Sequence, residues 1–296
     1  MQLQIRIGNI KYMEKILTII DISSEYYSTC YNCNKEDDNR RDDFSYYKET
    51  FDNYIENILI DTKATHYLAF GDGYTSFRKQ LFSDFKGDRK KKSQYFKFMT
   101  DLKVYGTTKW IVITNNILES DDLCLIHANE IISFDKIIIA SKDSDLRQFN
   151  GNFFDYGYKR KKLHISDAFE EITHDQAIHN LWKQVLIKGH NNKVDYLVAC
   201  GVESAKGYLA AFSTNQKKLA VLNAFILGMD KEKYIISRNI KGYGLMKGIE
   251  KFQKAFTQSY LLRTVEEAQA FDETFTLNDP IEWTKPEVIN DNNLIL

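Results

Sequence analysis

The chain has 296 residues, enough for one large domain or two smaller ones, and its 43% hydrophobic and 27% charged fractions exclude a disordered or fibrous protein. There is no apolar run of about 18 residues, and Arg6, Lys11, Glu14 and Lys15 interrupt the N-terminus, so neither a membrane span nor a secretory signal is expected. A formal net charge of −1 rules out a globally basic field, so any nucleic-acid footprint must be local.

The first apolar run, Ile16 to Ile20, is short and β-branched and ends in Asp21, and Ser23-Ser24-Glu25 follows as a helix start. This reads as a buried strand running into a capped helix. The four cysteines are Cys30, Cys33, Cys124 and Cys200, too few for a disulfide framework, and Cys30-x-x-Cys33 lacks the second Cys/His pair that structural zinc requires. Residues 36–43 hold five acids against two arginines and read as a solvated loop. Phe51, Tyr54, Ile55, Ile58 and Leu59 recur at helical spacing, and Tyr67 to Phe70 makes a second strand ending near Asp72.

Residues 78–97 carry eight basic residues against two acidic ones, a local positive segment within a nearly neutral chain. Two further strands, Ile111 to Thr114 and Ile137 to Ala140, flank a helix over about Asp121 to Ile132. This alternation predicts a parallel sheet with helices on its faces. Beyond residue 150 a hairpin is expected at 151–165, then helices at about 174–187, 203–213, 217–228 and 245–261, with a domain boundary near 150–170 or, alternatively, a helical part that packs on the sheet. Pro280 and Pro286, among clustered Asn and Asp, suggest an extended tail.

Asp21 and Asp72 end predicted strands, Asp143 and Asp145 follow a third, and Glu119, Asp121 and Asp122 open a helix, with Glu119 and Asp122 spaced to share one face. In open parallel sheets that edge is where ligands bind. A single such acid is usually a helix cap, but seven on one edge repel one another unless cations compensate them. All-oxygen ligation suits Mg²⁺ or Mn²⁺, and a pair of ions there would serve phosphodiester hydrolysis.

Laid out this way, the sequence resembles the phage and bacterial 5′-nucleases related to flap endonucleases, nearest the T-even phage ribonuclease H branch, from about residue 16 to about 213. Asp21 looks like that family's first metal aspartate. Phe70-Gly-Asp-Gly-Tyr-Thr-Ser-Phe-Arg78, with Phe85-Lys-Gly-Asp-Arg89, is similar to its Asp-then-Phe-Arg … Tyr-Lys-x-Asn-Arg segment. Glu119-Ser-Asp121-Asp122 is similar to Glu-Ala-Asp-Asp, and Ser141-Lys-Asp143-Ser-Asp145-Leu-Arg-Gln148 to Ser-x-Asp-x-Asp-x-x-Gln.

The resemblance implies a three-layer, PIN-like α/β nuclease domain over 1–165, including an arch at 73–104. A helical duplex-binding region over 166–265 and the tail at 266–296 would follow. It implies that Lys86 and Arg89 contact the scissile phosphate from the arch, while Arg78 and Lys90, Lys91 and Lys92 track the DNA backbone. The metal set would be Asp21, Asp72, Glu119, Asp121, Asp122, Asp143 and Asp145, with Mg²⁺, two ions, or Mn²⁺ as cofactor.

One segment departs from the pattern: where relatives have Gly-Asp-x-x-Asp-Asn, this chain has Gly189-His190-Asn-Asn-Lys-Val-Asp195. His190 is then a ligand, a hydrogen-bond partner of a ligand, or a loop histidine, and Asp195 is the remaining carboxylate for the second ion. Gly201-Val-Glu-Ser-Ala-Lys206 partly matches a Gly-rich turn, where Lys206 would hold a phosphate.

The expected activity is hydrolysis of flap, nicked or RNA-primed DNA by a monomer in the cytoplasm of a bacterial or phage-infected cell, with branched DNA, RNA–DNA hybrids and replication proteins as partners. A catalytically weak DNA-binding or scaffolding relative and a PIN-type ribonuclease are the alternatives. A doubly wound phosphatase or kinase lacks its Asp-x-Asp or Gly-x-x-x-x-Gly-Lys motif.

Overall fold

In a computed structural model, the described residues are 14–35, 39–83, 85, 96–157, 164–186, 254 and 256–285. Strand β1 (Ile16–Asp21) is buried along its whole length, as a β-branched run covered on both faces must be. It pairs in parallel with β2 (His66–Asp72) on one side and β4 (Lys136–Ala140) on the other. Strand β3 (Ile113–Asn115) extends the sheet beyond β2, and β5 (Gly151–Phe154) extends it beyond β4. The order β3-β2-β1-β4-β5-β6 therefore reverses direction at β1, and its carboxyl edge is a topological switch point.

Alternation along the strands divides the core into two layers. Ile16, Ile20, Tyr67, Ala69, Ile138 and Ala140 face helices α1 (Ser23–Lys35), α2 (Phe44–Asp61) and α4 (Met99–Lys109). Leu17, Ile19, Leu68, Phe70 and Ile139 face α5 (Ser120–Glu130) and α6 (His174–Leu186), whose Ala177 joins the cluster. The result is the three-layer α/β architecture expected from the sequence.

Two local devices fix the first layer. Asp43 caps α2 by accepting the Ser45 N–H at 2.8 Å. The helix ends with Lys63 at φ 55° and the Ala64 N–H on the Leu59 carbonyl at 2.9 Å, a left-handed C-terminal cap. Gly106 of α4 lies so close to Tyr26 of α1 that a Cβ would stand 2.3 Å from the phenol oxygen, so only glycine allows these helices to approach. Tyr26 in turn stacks on Phe51 at 4.9 Å.

The predicted hairpin after residue 150 pairs differently. Strand β5 is antiparallel to β6 (Phe169–Ile172), with Phe154 opposite Phe169 and their rings 4.6 Å apart. Both strands continue the same sheet and α6 packs on its second layer, so residues 166–186 pack with the sheet, as the sequence left open. The rest of the expected helical region, 187–253, lies outside the described residues, including the helices expected at 203–213 and 217–228.

The expected tail is also corrected over 266–285. Helix α7 (Val265–Gln269) is capped by Thr264, and β7 (Ile281–Glu282) pairs antiparallel with the start of β2. Leu261, Leu262, Ala268 and Phe275 are buried in the second layer. Proline and Asn/Asp content mark local breaks, but these apolar side chains find partners only through contacts distant in sequence. Strand β7 covers the part of β2 that three-residue β3 leaves unpaired, and the Trp283 N–H continues onto the Thr65 carbonyl at 2.8 Å.

Candidate functional site

At the carboxyl edge of β1 and β2, serines hold the acids together. Ser120, the first residue of α5, has its Oγ 3.1 Å from Asp21 Oδ1 and 3.0 Å from Asp72 Oδ1, and its N–H donates to the same Asp72 oxygen at 3.1 Å. One hydroxyl proton thus serves two carboxylates. Ser23 links them from behind, accepting the Asp72 N–H at 2.8 Å and donating to Ser120 Oγ at 3.1 Å. From β4's end, Ser141 donates to Asp21 Oδ2 at 2.9 Å and accepts the Asp143 N–H at 2.9 Å.

Asp21 is buried, and its carboxyl is pushed up to about 7, first by burial and then by the charges of Asp72 and Asp143, against lowering bonds from Ser141 and Ser120. Asp72 and Asp121 are half-buried and Asp143 is exposed. Asp145 lies in the 3-10 turn that Asp143 caps, its N–H donating to Asp143 Oδ1 at 2.9 Å while its own Oδ1 accepts from Gln184 Nε2 at 2.8 Å. Gln184 reaches Gln148, whose Nε2 also donates to the Ser259 carbonyl at 2.7 Å. Gln148 therefore joins the end of α6 to the returning C-terminal segment.

Glu119, Asp121 and Asp122 offer ligand atoms within 4.8 Å of one another, the one such group of His, Cys, Asp and Glu among the described residues. Two of the expected site residues are turned inward here. Arg78, expected to track DNA, is 1% exposed in the short helix α3 (Phe77–Leu81) and points into the protein. Its guanidinium donates to Asp122 at 2.5 and 2.8 Å, to Glu119 Oε2 at 3.0 Å, and to the carbonyls of Thr257 at 3.2 Å and Tyr260 at 2.5 Å. Burial alone would lower the guanidinium's pKa, but the Asp122 charge and hydrogen bonds outweigh it and raise it further.

Asp122, expected as a metal ligand, is fully buried and also accepts the Leu262 N–H at 2.9 Å and the Glu119 N–H at 3.3 Å. In sequence, Arg78 looked like one more charge of a basic run. Its exclusion from solvent follows from Phe77 and Ser76 being buried beside it, which a charge count does not register.

Lys86, Arg89, Lys90, Lys91 and Lys92 lie outside the described residues, as do His190, Asp195 and Lys206. Cys30 and Cys33 are buried thiols of the first layer, and burial pushes Cys30 up to about 12.

Sequence reasoning missed the serines, although each stands within two residues of an acid of the edge: Ser23 after Asp21, Ser120 after Glu119, Ser141 before Asp143. It also missed the Lys142–Glu25 ion pair, in which buried Glu25 of α1 holds the ammonium over the Tyr156 ring, and Tyr156 itself, whose hydroxyl donates to the Asp21 carbonyl at 2.7 Å.

The donor set fits a hard divalent cation. Burial first, and then the charges of Asp72 and Asp143, disfavour the ionised Asp21 carboxylate, and a bound ion would supply the positive charge that offsets this penalty.

No family model matches the chain, and no curated protein was found similar to it. Among solved structures, the bacteriophage T5 5′-exonuclease with bound zinc superposes with a TM-score of 0.52 at 14% identity, over 83% of this chain and 86% of that one. The T5 flap endonuclease, in a pseudo-enzyme–product complex with DNA and metal ions, gives 0.52 at 13% identity, over 87% and 89%. The chain thus has the α/β fold seen in those 5′-nuclease structures.

Proposed function

We propose that the protein is a divalent-metal-dependent 5′ nuclease that hydrolyses phosphodiesters in flap, nicked or RNA-primed DNA. The observation that carries this reading is the convergence of Asp21, Asp72 and Asp143 on one proton-sharing edge, at the switch point of a fold that T5 5′-exonuclease uses with metal. The narrower likeness to the T-even ribonuclease H branch rests on the sequence motifs alone.

Asp21, Asp72, Asp143, Glu119 and Asp121 would hold one divalent ion, and Asp145, with Asp195 and His190, a second. Bound Mg²⁺ or Mn²⁺ would supply an activated water and neutralise charge on the phosphodiester. The chain's own work is positional. Ser120 and Ser141 fix both oxygens of Asp21, and Ser23 holds the Asp72 backbone. Lys86 and Arg89 stabilise charge developing on the phosphoryl group. Lys90 to Lys92 and Lys206 hold the backbone without reading sequence. The partners are branched or nicked DNA, RNA–DNA hybrids and other replication proteins, met by a monomer.

Cleavage of a labelled 5′-flap substrate, with Mg²⁺, Mn²⁺ or chelator, tests the reading. Asp72→Asn and Asp143→Asn are expected to abolish cleavage while flap binding persists. Lys86→Ala should lower kcat by at least about 100-fold with little change in KM, as for a contact made in the transition state. Full cleavage in chelator, or by either aspartate variant, would overturn the assignment.

A further inference from the structure

Arg78 and Asp122 have no part in the chemistry above, yet their hydrogen bonding is complete on both sides. A guanidinium has five N–H groups and a carboxylate accepts about four bonds. Arg78 gives all five, to Thr257, Tyr260, Glu119 and twice to Asp122. Asp122 receives four, two from Arg78 and one each from the backbone of Leu262 and Glu119. Neither group can serve another ligand without breaking a buried bond.

We propose that Arg78 is a positioning residue acting as a built-in counter-cation: it withholds Asp122 from metal ligation and pins Glu119, through one of its oxygens, at the rim of the metal edge. This rests on the metal-dependent reading of that edge. Three clustered carboxylates need positive charge, from an ion or from the protein. A guanidinium is always charged and its fork matches a carboxylate, so its compensation does not vary with metal concentration. The Thr257 and Tyr260 carbonyls lie in and just after the helical turn that ends at residue 259, so the same side chain ties Glu119 to the segment returning from 187–253.

The test compares the wild type, Arg78→Met and the double variant Arg78→Met/Asp122→Leu. Bound Mn²⁺ is counted by electron paramagnetic resonance, with Tm and flap-cleavage kinetics measured alongside. Arg78→Met should bind one more Mn²⁺ per chain, because the uncovered carboxylates recruit an ion. The double variant replaces the pair with apolar side chains of similar size and should keep its fold. It should return to the wild-type ion count, but with kcat lower by about tenfold and KM within about twofold, since Glu119 is no longer held.

An unchanged ion count in Arg78→Met, or a double variant that recovers kcat along with Tm, would overturn the proposal. Should Arg78→Met fail to fold, Arg78→Lys, which keeps the charge and loses the fork, is read with the double variant. Lowered kcat in a folded Arg78→Lys supports the role and wild-type kcat refutes it. A wild type that cuts no flap with either metal sinks the functional reading instead, and the ion counts still report on Arg78.

Discussion

At the scale of single residues, Asp21 is the most informative. Its folded pKa, about 7, lies above the ordinary value of 3.8. A raised carboxyl pKa means that its contribution to stability is full below about pH 4 and is lost as pH rises through about 7. At about 1.4 kcal/mol per unit the shift corresponds to on the order of 4 kcal/mol. Urea unfolding in chelator should therefore show stability falling between those pH values, with Asp21→Asn flattening the slope and Mg²⁺ restoring stability at pH 8. A slope that survives Asp21→Asn would assign it to another group.

His190 carries a second expectation, since an imidazole in place of a carboxylate favours manganese over magnesium. His190→Asp should narrow the difference between the two metals in cleavage assays, whereas equal metal dependence in His190→Asp, His190→Ala and the wild type would make it a loop residue.

At the scale of elements, helix ends carry measurable strain. Lys63 holds the left-handed cap of α2 at φ 55°, where glycine has no steric penalty. Lys63→Gly should raise stability by about 1 kcal/mol in denaturant titration.

Helix α5 has a different device. His127 is fully buried, with Nδ1 2.8 Å from the Leu123 carbonyl and Nε2 accepting the Asn278 N–H at 3.0 Å. Nδ1 therefore carries the proton, and the ring is neutral. Burial lowers its pKa below the usual 6.5, so its contribution is present above that value and is lost as pH falls through the folded pKa. Hydrogen exchange should show the Asn278 amide losing protection in acid before the amides of β1 do.

The strands and α5 were legible because β-branched runs, Asp termini and apolar periodicity are local signals. Strand β7 and the burial of Arg78 were not, because Ile281 pairs with Tyr67 and Arg78 with Tyr260, and no window of sequence contains both partners. The acids at the edge were legible as a set. Their division into an Asp21–Asp72–Asp143 group and an arginine-neutralised Asp122 required coordinates.

Over the whole molecule, the segment from 256 to 285 completes the α/β unit. It contributes Leu261, Leu262, Ala268 and Phe275 to the second core layer and β7 to the sheet. Ending the chain after residue 264 removes two of those buried side chains and uncovers the start of β2. Burying one such side chain is worth roughly 1.5–3 kcal/mol, so the truncated protein should unfold at several kcal/mol less than the full chain and aggregate through the exposed edge. Wild-type stability and solubility after truncation would show that this segment only rests on the surface.

The Gln148 side chain, bonded at once to Gln184 and Ser259, brings the two ends of the intervening stretch side by side. In topological terms, Gln184 and Ser259 are neighbours across a single glutamine although they stand 75 positions apart in sequence. A flexible bridge of about 10 residues between those two points would close a short loop at small entropic cost. The α/β unit with such a bridge should still unfold cooperatively, as read by its Tm. It would thereby separate the first proposed ion, counted as bound Mn²⁺ on the shortened protein, from the second ion and the grip on duplex DNA proposed for the excised stretch.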